Sequence, residues 1–167
     1  MLLCGAIAHA AQDPRAIPLV DQRGASFTLA DLKGQPVAVT FVASRCTDVC
    51  PISNAAFATL AQRLERAGTK ATLVTITLDP GYDTPFVMSR LAHEMNADSR
   101  RWRMASGSPA DVAALMHAFG VSVKQNKAGI PDAHSSFVYV LDRNGRLHRT
   151  LLLSTHLADD ALRALES

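Results

Sequence analysis

The stretch "PVAVTFVASRCTDVCPIS", residues 36–53, decides how the rest of the chain is read. Its first half, Pro36 to Ser44, is β-branched and continuously apolar, the pattern of a strand buried on both faces. Its second half carries Cys46 and Cys50, four positions apart, and leads into Ser53–Arg66. There Ala56, Phe57, Leu60 and Leu64 form one stripe at helical spacing, and Gly68 stops the helix. A central strand handing over to a helix, with two thiols at the junction, is the unit around which the other segments arrange themselves.

Downstream, "ATLVTITLD" (71–79) predicts a second buried strand, and Pro85–Met95 a second helix entered through the loop "DPGYDTP". Strand, helix and strand with a crossover of this length predict a right-handed parallel unit. Arg101–Ala105 reads as a short strand, Pro109–Phe119 as a helix stopped by Gly120, and "SVKQNKAGIPDA" (122–133) as a polar loop. "SSFVYVLD", the turn "RNG" and "RLHRTLLLS" then predict a hairpin, with Asn144 and Gly145 supplying the positive φ angles of a tight turn. A helix from Leu157 to Leu165 closes the chain. Upstream, "LVDQRGASFTL" (19–29) predicts a hairpin around Arg23-Gly24, followed by a short turn from Asp31 to Gly34. A parallel βαβ, a helix and an antiparallel ββα make up the thioredoxin fold. The fold class expected is therefore α/β and thioredoxin-like: a central mixed sheet flanked by helices, with an N-terminal hairpin extension.

With 167 residues, 48% hydrophobic, and neither repeat nor linker, residues 11–167 are expected to form a single domain. The 17 basic and 15 acidic side chains are interspersed, for a net charge of +2, which leaves no polycationic face for nucleic acid. Aromatic residues are too scattered for a base-stacking platform. No apolar run of about 20 residues is present to span a bilayer. Residues 1–10, "MLLCGAIAHA", read as the remnant of an export signal, with Ala8 and Ala10 in the A-x-A pattern and cleavage before Ala11. The missing charged n-region places the start of that signal, or a membrane anchor, upstream. Cys4 is then a passenger, since Leu3 stands where a lipidation site requires a small residue. Export implies an oxidising compartment, where an exposed cysteine pair is disulfide-bonded, metal-bound or kept reduced by a partner.

Cysteines at a helix start meet unsatisfied N–H groups and the positive end of the helix dipole, so both Cys46 and Cys50 are expected to ionise readily. On a helix, positions four apart lie about 6 Å along the axis on one face, which lets both sulfurs converge on one ion. An irregular turn lets the same pair close a disulfide, so spacing alone leaves metal and redox chemistry open. Among the histidines, His9 falls in the signal segment, His93 and His117 on helices, His148 outward on the last hairpin and His156 at the final helix start. His134 differs: it ends the polar loop and begins a strand expected beside the cysteine-bearing strand. Two thiolates and one imidazole, with no fourth protein donor, suit copper as Cu(I) or Cu(II), whereas a structural zinc site takes four ligands.

Three segments, "FVASRCTDVCP" (41–51), "LDPGYDTP" (78–85) and "DAHSSFVYVLDRNGR" (132–146), together resemble the Sco/SenC family of thioredoxin-like copper-binding proteins. The resemblance runs from about Phe27 to the last hairpin, with the motifs in the family's order. It implies a copper site of Cys46, Cys50 and His134 in an exported protein that helps metallate the dinuclear copper centre of cytochrome c oxidase. Two positions depart from the family pattern. Thr47 stands where Pro commonly follows the first cysteine, which frees a backbone N–H. Ala133 stands where an acid commonly precedes the histidine, which removes a negative charge that favours Cu(II). Neither change removes a ligand.

Asp79 is expected to cap its loop, Asp83 or Thr84 to cap the next helix, and Pro85 to fit its first turn. Met88, Met95, Met104 and Met116 are expected in the core, and Trp102 near the sheet edge as packing or a partner contact. Two functions follow. One is a monomeric copper metallochaperone, periplasmic or on the outer face of the inner membrane, that hands its ion to the oxidase's copper-bearing subunit or another copper protein. The other is an exported thiol:disulfide oxidoreductase in which Cys46 attacks a partner disulfide and Cys50 resolves it.

Overall fold

The computed structural model describes residues 13–47 and 49–167. Cys4, His9 and the expected cleavage point after Ala10 lie outside the described residues. Nine strands and four α-helices follow one another among them. They are β1 (Leu19–Asp21), β2 (Ser26–Phe27), β3 (Val37–Val42), α1 (Val49–Ala67), β4 (Thr72–Thr77), α2 (Pro85–Glu94) and β5 (Trp102–Ser106). Then come α3 (Pro109–Ala118), β6 (Val123–Gln125), β7 (Pro131–His134), β8 (Phe137–Leu141), β9 (Leu147–Leu152) and α4 (Leu157–Glu166). A seven-stranded sheet has the order β2-β1-β5-β4-β3-β8-β9. The fold is the expected thioredoxin-like mixed sheet flanked by helices, extended at one side by the N-terminal hairpin.

β3 and β4 pair in parallel from Val37↔Thr72 to Val42↔Thr77, and every residue of both strands is buried. Their unbroken apolar and β-branched character follows from being covered on both faces. On the other side β3 pairs antiparallel with β8, Val37 opposite Leu141 and Thr40 opposite Val138. One face of the sheet packs Phe57, Leu60 and Leu64 of α1 with Met88 of α2, Trp102, Met104, and Leu157 and Ala161 of α4. The other packs Phe41, Ile76 and Tyr139 with Leu115 of α3, and both cysteines belong to that second cluster.

Helix boundaries follow local chemistry. Thr84 caps α2, its hydroxyl accepting from Val87 N–H at 3.4 Å with Pro85 in the first turn. Ser108 caps α3 in the same way, accepting from Asp111 N–H at 3.1 Å. Gly68, at φ 67°, ends α1 in the left-handed conformation that costs glycine nothing.

Four expectations are corrected. α1 begins at Val49 rather than Ser53, so Cys50 lies inside its first turn, where Pro51 is tolerated because the first N–H groups have no helical partner anyway. The polar loop 122–133 contains a two-stranded hairpin, β6 with β7, closed by Asn126 Oδ1 accepting from Ala128 and Ile130 N–H at 2.9 and 3.1 Å. In the β8–β9 turn only Gly145 has positive φ, at 75°; Asn144 does not. There Asp142 Oδ1 accepts from the N–H groups of Asn144 and Arg146, and a register shift at Val140/Leu141 absorbs the extra residue. Finally, Trp102 lies on β5, between β4 and β1 and away from the edge, and is buried. Its indole donates to Thr75 Oγ1 at 2.9 Å, so it packs the core.

Candidate metal centre

Cys46 sits on the turn that leaves β3, where its N–H donates to Ala43 C=O at 3.1 Å. Cys50 follows in the first turn of α1, and its sulfur accepts from Ala43 N–H at 3.3 Å. Ala43, the residue just beyond β3, thus organises both thiols from its two backbone groups. Both are buried, at 7% and 2% exposure, and the pair is not disulfide-bonded.

His134 is the last residue of β7. The sequence suggests that it begins a strand beside β3; instead β7 belongs to the two-stranded sheet, and β8, which pairs with β3, begins three residues later at Phe137. The short link between them brings a residue 84 positions away onto the cysteine turn. Its Nε2 lies 3.1 Å from Cys50 Sγ, and its Nδ1 lies 3.1 Å from Ser135 C=O. With Nδ1–H donating to that carbonyl, the Nε2 lone pair faces the sulfurs, the arrangement by which a second group fixes the tautomer of a metal-ligating histidine. One donor atom from each of Cys46, Cys50 and His134 lies within 4.8 Å of the others.

Burial first, and then the hydrogen bond to Cys46 and the negative charges of Cys46 and Asp83, push the Cys50 thiol up to about 12, against the downward pull of Ala43 N–H. The expectation that both cysteines ionise readily therefore fails for Cys50. Loss of hydration outweighs the helix N-terminus there. A soft cation that replaces the proton removes this cost, so the donor set fits a thiophilic ion.

The loop between β4 and α2 does more than cap a helix. Asp83, fully buried, accepts from Ser44 N–H at 3.1 Å, from the Ser44 hydroxyl, and from Thr77 Oγ1 at 2.6 Å. Of the two expected caps for α2, Thr84 takes the role and Asp83 turns inward. Asp79 accepts from Arg45 at 2.6 and 3.1 Å, and the Arg45 guanidinium lies 4.2 Å from the centre of the Tyr82 ring. Thus the two residues before Cys46 are each held by a carboxylate 34 or 39 positions downstream. Residue spacing carries no sign of this partnership, because only the parallel β3–β4 pairing brings the two loops to one end of the sheet.

The remaining candidates stay apart from the centre. Met88 and Met104 are buried in the core and Met95 and Met116 pack against it. His93, His117, His148 and His156 are exposed, and Thr47 faces solvent beside Cys46.

A thioredoxin-like domain with a Cys-Cys-His cluster at the end of its central strand defines the class. The SCO1/SenC family model matches residues 11–167, and the chain belongs to that family. It is 30% identical over 127 residues to SenC of Rhodobacter capsulatus, covering 74% of this chain and 56% of that protein. To an SCO2-like protein of Rickettsia felis it is 27% identical over 133 residues, covering 77% and 63%. The chain therefore spans under two thirds of the length of these relatives. Among solved structures, copper-bound ScoI of Bradyrhizobium japonicum aligns with a TM-score of 0.77 at 27% identity over 89% of this chain and 94% of that one. An SCO1/SenC family lipoprotein of Bacillus anthracis aligns with a TM-score of 0.82 at 24% identity, over 89% and 90%.

Proposed function

We propose that this protein is a copper metallochaperone that binds one copper ion through Cys46, Cys50 and His134 and delivers it to the dinuclear copper site of cytochrome c oxidase. The observation that carries the reading is the approach of His134 Nε2 to Cys50 Sγ, within a cluster whose three donor atoms are mutually within 4.8 Å. Dithiol exchange has no need of the imidazole. A copper site does, and two sulfurs and one nitrogen leave a coordination position through which an acceptor's ligand enters, so the ion passes by ligand exchange.

Family membership and the copper-bound Bradyrhizobium japonicum relative support copper as the cargo. A Sco protein at 20% identity is described as a member of the Sco family of cytochrome c oxidase assembly proteins, which supports the oxidase as acceptor. Action on the outer side of the inner membrane agrees with the Bacillus anthracis relative being a lipoprotein.

Titration of copper into the reduced protein and into His134→Ala, alongside a disulfide-reduction assay, tests the reading. One copper per chain in the parent, with copper affinity lost far more than reductase turnover in the variant, is the expected result. Unchanged copper affinity with a large loss of reductase turnover reverses the assignment in favour of an oxidoreductase.

A further inference from the structure

Asp83 is a carboxylate with no solvent exposure, and the groups that hydrogen-bond to it are neutral: the Ser44 N–H, the Ser44 hydroxyl and the Thr77 hydroxyl. Among the described residues none of the ion pairs includes it, and the cation nearest in sequence to its partner, Arg45, is taken by Asp79 at 2.6 Å. Burying a carboxylate without a counter-ion costs stability, and neutral hydrogen bonds offset only part of that cost. A carboxylate accepts all three bonds and ties the two loops more firmly than a neutral acceptor would, and in doing so it places a charge at this point. That charge lies beside the metal centre, because the carboxylate binds both the N–H and the hydroxyl of Ser44, two residues before Cys46.

A fixed negative charge beside a metal stabilises the ion of higher charge more than the ion of lower charge, and more strongly in a dry interior than in water.

We propose that Asp83 is a positioning residue of the metal centre: its hydrogen bonds hold the Ser44–Cys46 turn, and its charge, which is in no ion pair among the described residues, favours Cu(II) over Cu(I) at Cys46, Cys50 and His134. This rests on the copper reading above. The loop bearing the DP…DTP motif thereby acts on the centre through Ser44. The two roles separate on substitution. Asp83→Asn keeps the shape and exchanges one acceptor for a donor that the Ser44 hydroxyl accommodates, but it removes the charge. Thr77→Val keeps the charge and removes the hydroxyl that donates to Asp83 and accepts from Asp79 N–H.

The experiment measures Cu(I) and Cu(II) affinities of the reduced parent, Asp83→Asn and Thr77→Val by competition with chelators of known affinity. In Asp83→Asn the ratio of Cu(II) to Cu(I) affinity falls about tenfold. In Thr77→Val both affinities fall together and the ratio keeps the parent value. An unchanged ratio in Asp83→Asn, or an equal fall of the ratio in both variants, overturns the role of the charge. If Asp83→Asn does not fold, Asp83→Ser, small enough to leave room for a water among the same donors, is read against the same ratio. A parent that binds neither ion with its three donors sinks the copper reading instead, and that result is visible before any variant is compared.

Discussion

The Nε2 atom of His134 and the Sγ atom of Cys50 lie 3.1 Å apart although 84 positions separate them in the chain. With the Cys50 thiol pushed up to about 12, that sulfur carries its proton at neutral pH, and on the proposed copper reading the ion displaces it. Apparent copper affinity is therefore expected to rise by about tenfold per pH unit for each thiol proton displaced between pH 6 and 8. Chelator competition across that range, with proton release followed in unbuffered titration, checks the slope. A flat profile means that the metal does not replace the Cys50 proton.

The same thiol makes a prediction for the metal-free protein. Cys50 is 2% exposed and its thiol is raised from an ordinary 9.0 to about 12, so iodoacetamide at pH 8 is expected to leave it unmodified while the fold persists and to label it on unfolding. The sign for stability follows. The folded state holds the proton more tightly than the unfolded chain, so this contribution is complete below the unfolded value and is lost as pH climbs from about 9 toward 12. Peptide mapping of the labelled chain, native against denatured, measures the first effect. Equal labelling in both states contradicts the burial.

How much of this was legible beforehand depended on range. The apolar runs of β3 and β4, the Thr84-Pro85 and Ser108-Pro109 helix starts and the glycines at 68 and 120 act on their own neighbourhoods, and the sequence displays them. The β6–β7 hairpin was hidden because its strands are three and four residues long, without the apolar alternation that marks a half-buried strand. The Asn126 turn, rather than a buried face, closes it. The hold of Asp79 and Asp83 on Arg45 and Ser44 was hidden for a different reason. A carboxylate before a helix reads equally well as a cap, and only the register of β3 with β4 turns it toward a partner 34 or 39 residues away. His134 stood out through the fold layout and its motif, since one histidine in a polar loop looks like any other.

Asp21 offers a test of the N-terminal extension. Burial pulls its carboxyl up, but hydrogen bonds from the Arg23 side chain and the Arg23 and Ala25 N–H groups outweigh it and hold the group below its ordinary 3.8. A depressed value in the folded state stabilises at pH above 3.8 and is lost as the pH falls through the folded value. Asp21→Asn is expected to cost about 1–3 kcal/mol at pH 7, by urea denaturation, because the bonds to a charged acceptor are weakened. The gap between parent and variant should close as the solution is acidified below the ordinary value. A gap independent of pH would assign the cost to shape alone.

Within the core, the Trp102 indole donates to Thr75 Oγ1 at 2.9 Å, and both residues are at most 1% exposed. They lie on adjacent parallel strands, with Leu73 opposite Trp102 and Thr75 opposite Met104, so the bond runs diagonally across the β4–β5 ladder. Trp102→Phe removes the donor and part of a large ring that packs on Phe57 at a centroid distance of 5.9 Å, so its cost combines a lost hydrogen bond with a void. Thr75→Val removes only the acceptor and leaves the indole N–H unsatisfied. The double variant loses both partners, which spares it the penalty of one stranded polar group. A double-mutant cycle in urea is therefore expected to show a coupling of about 0.5–1.5 kcal/mol. A coupling of zero would mean that Trp102 stabilises the sheet through its area alone and that the hydroxyl at 75 finds its partner elsewhere.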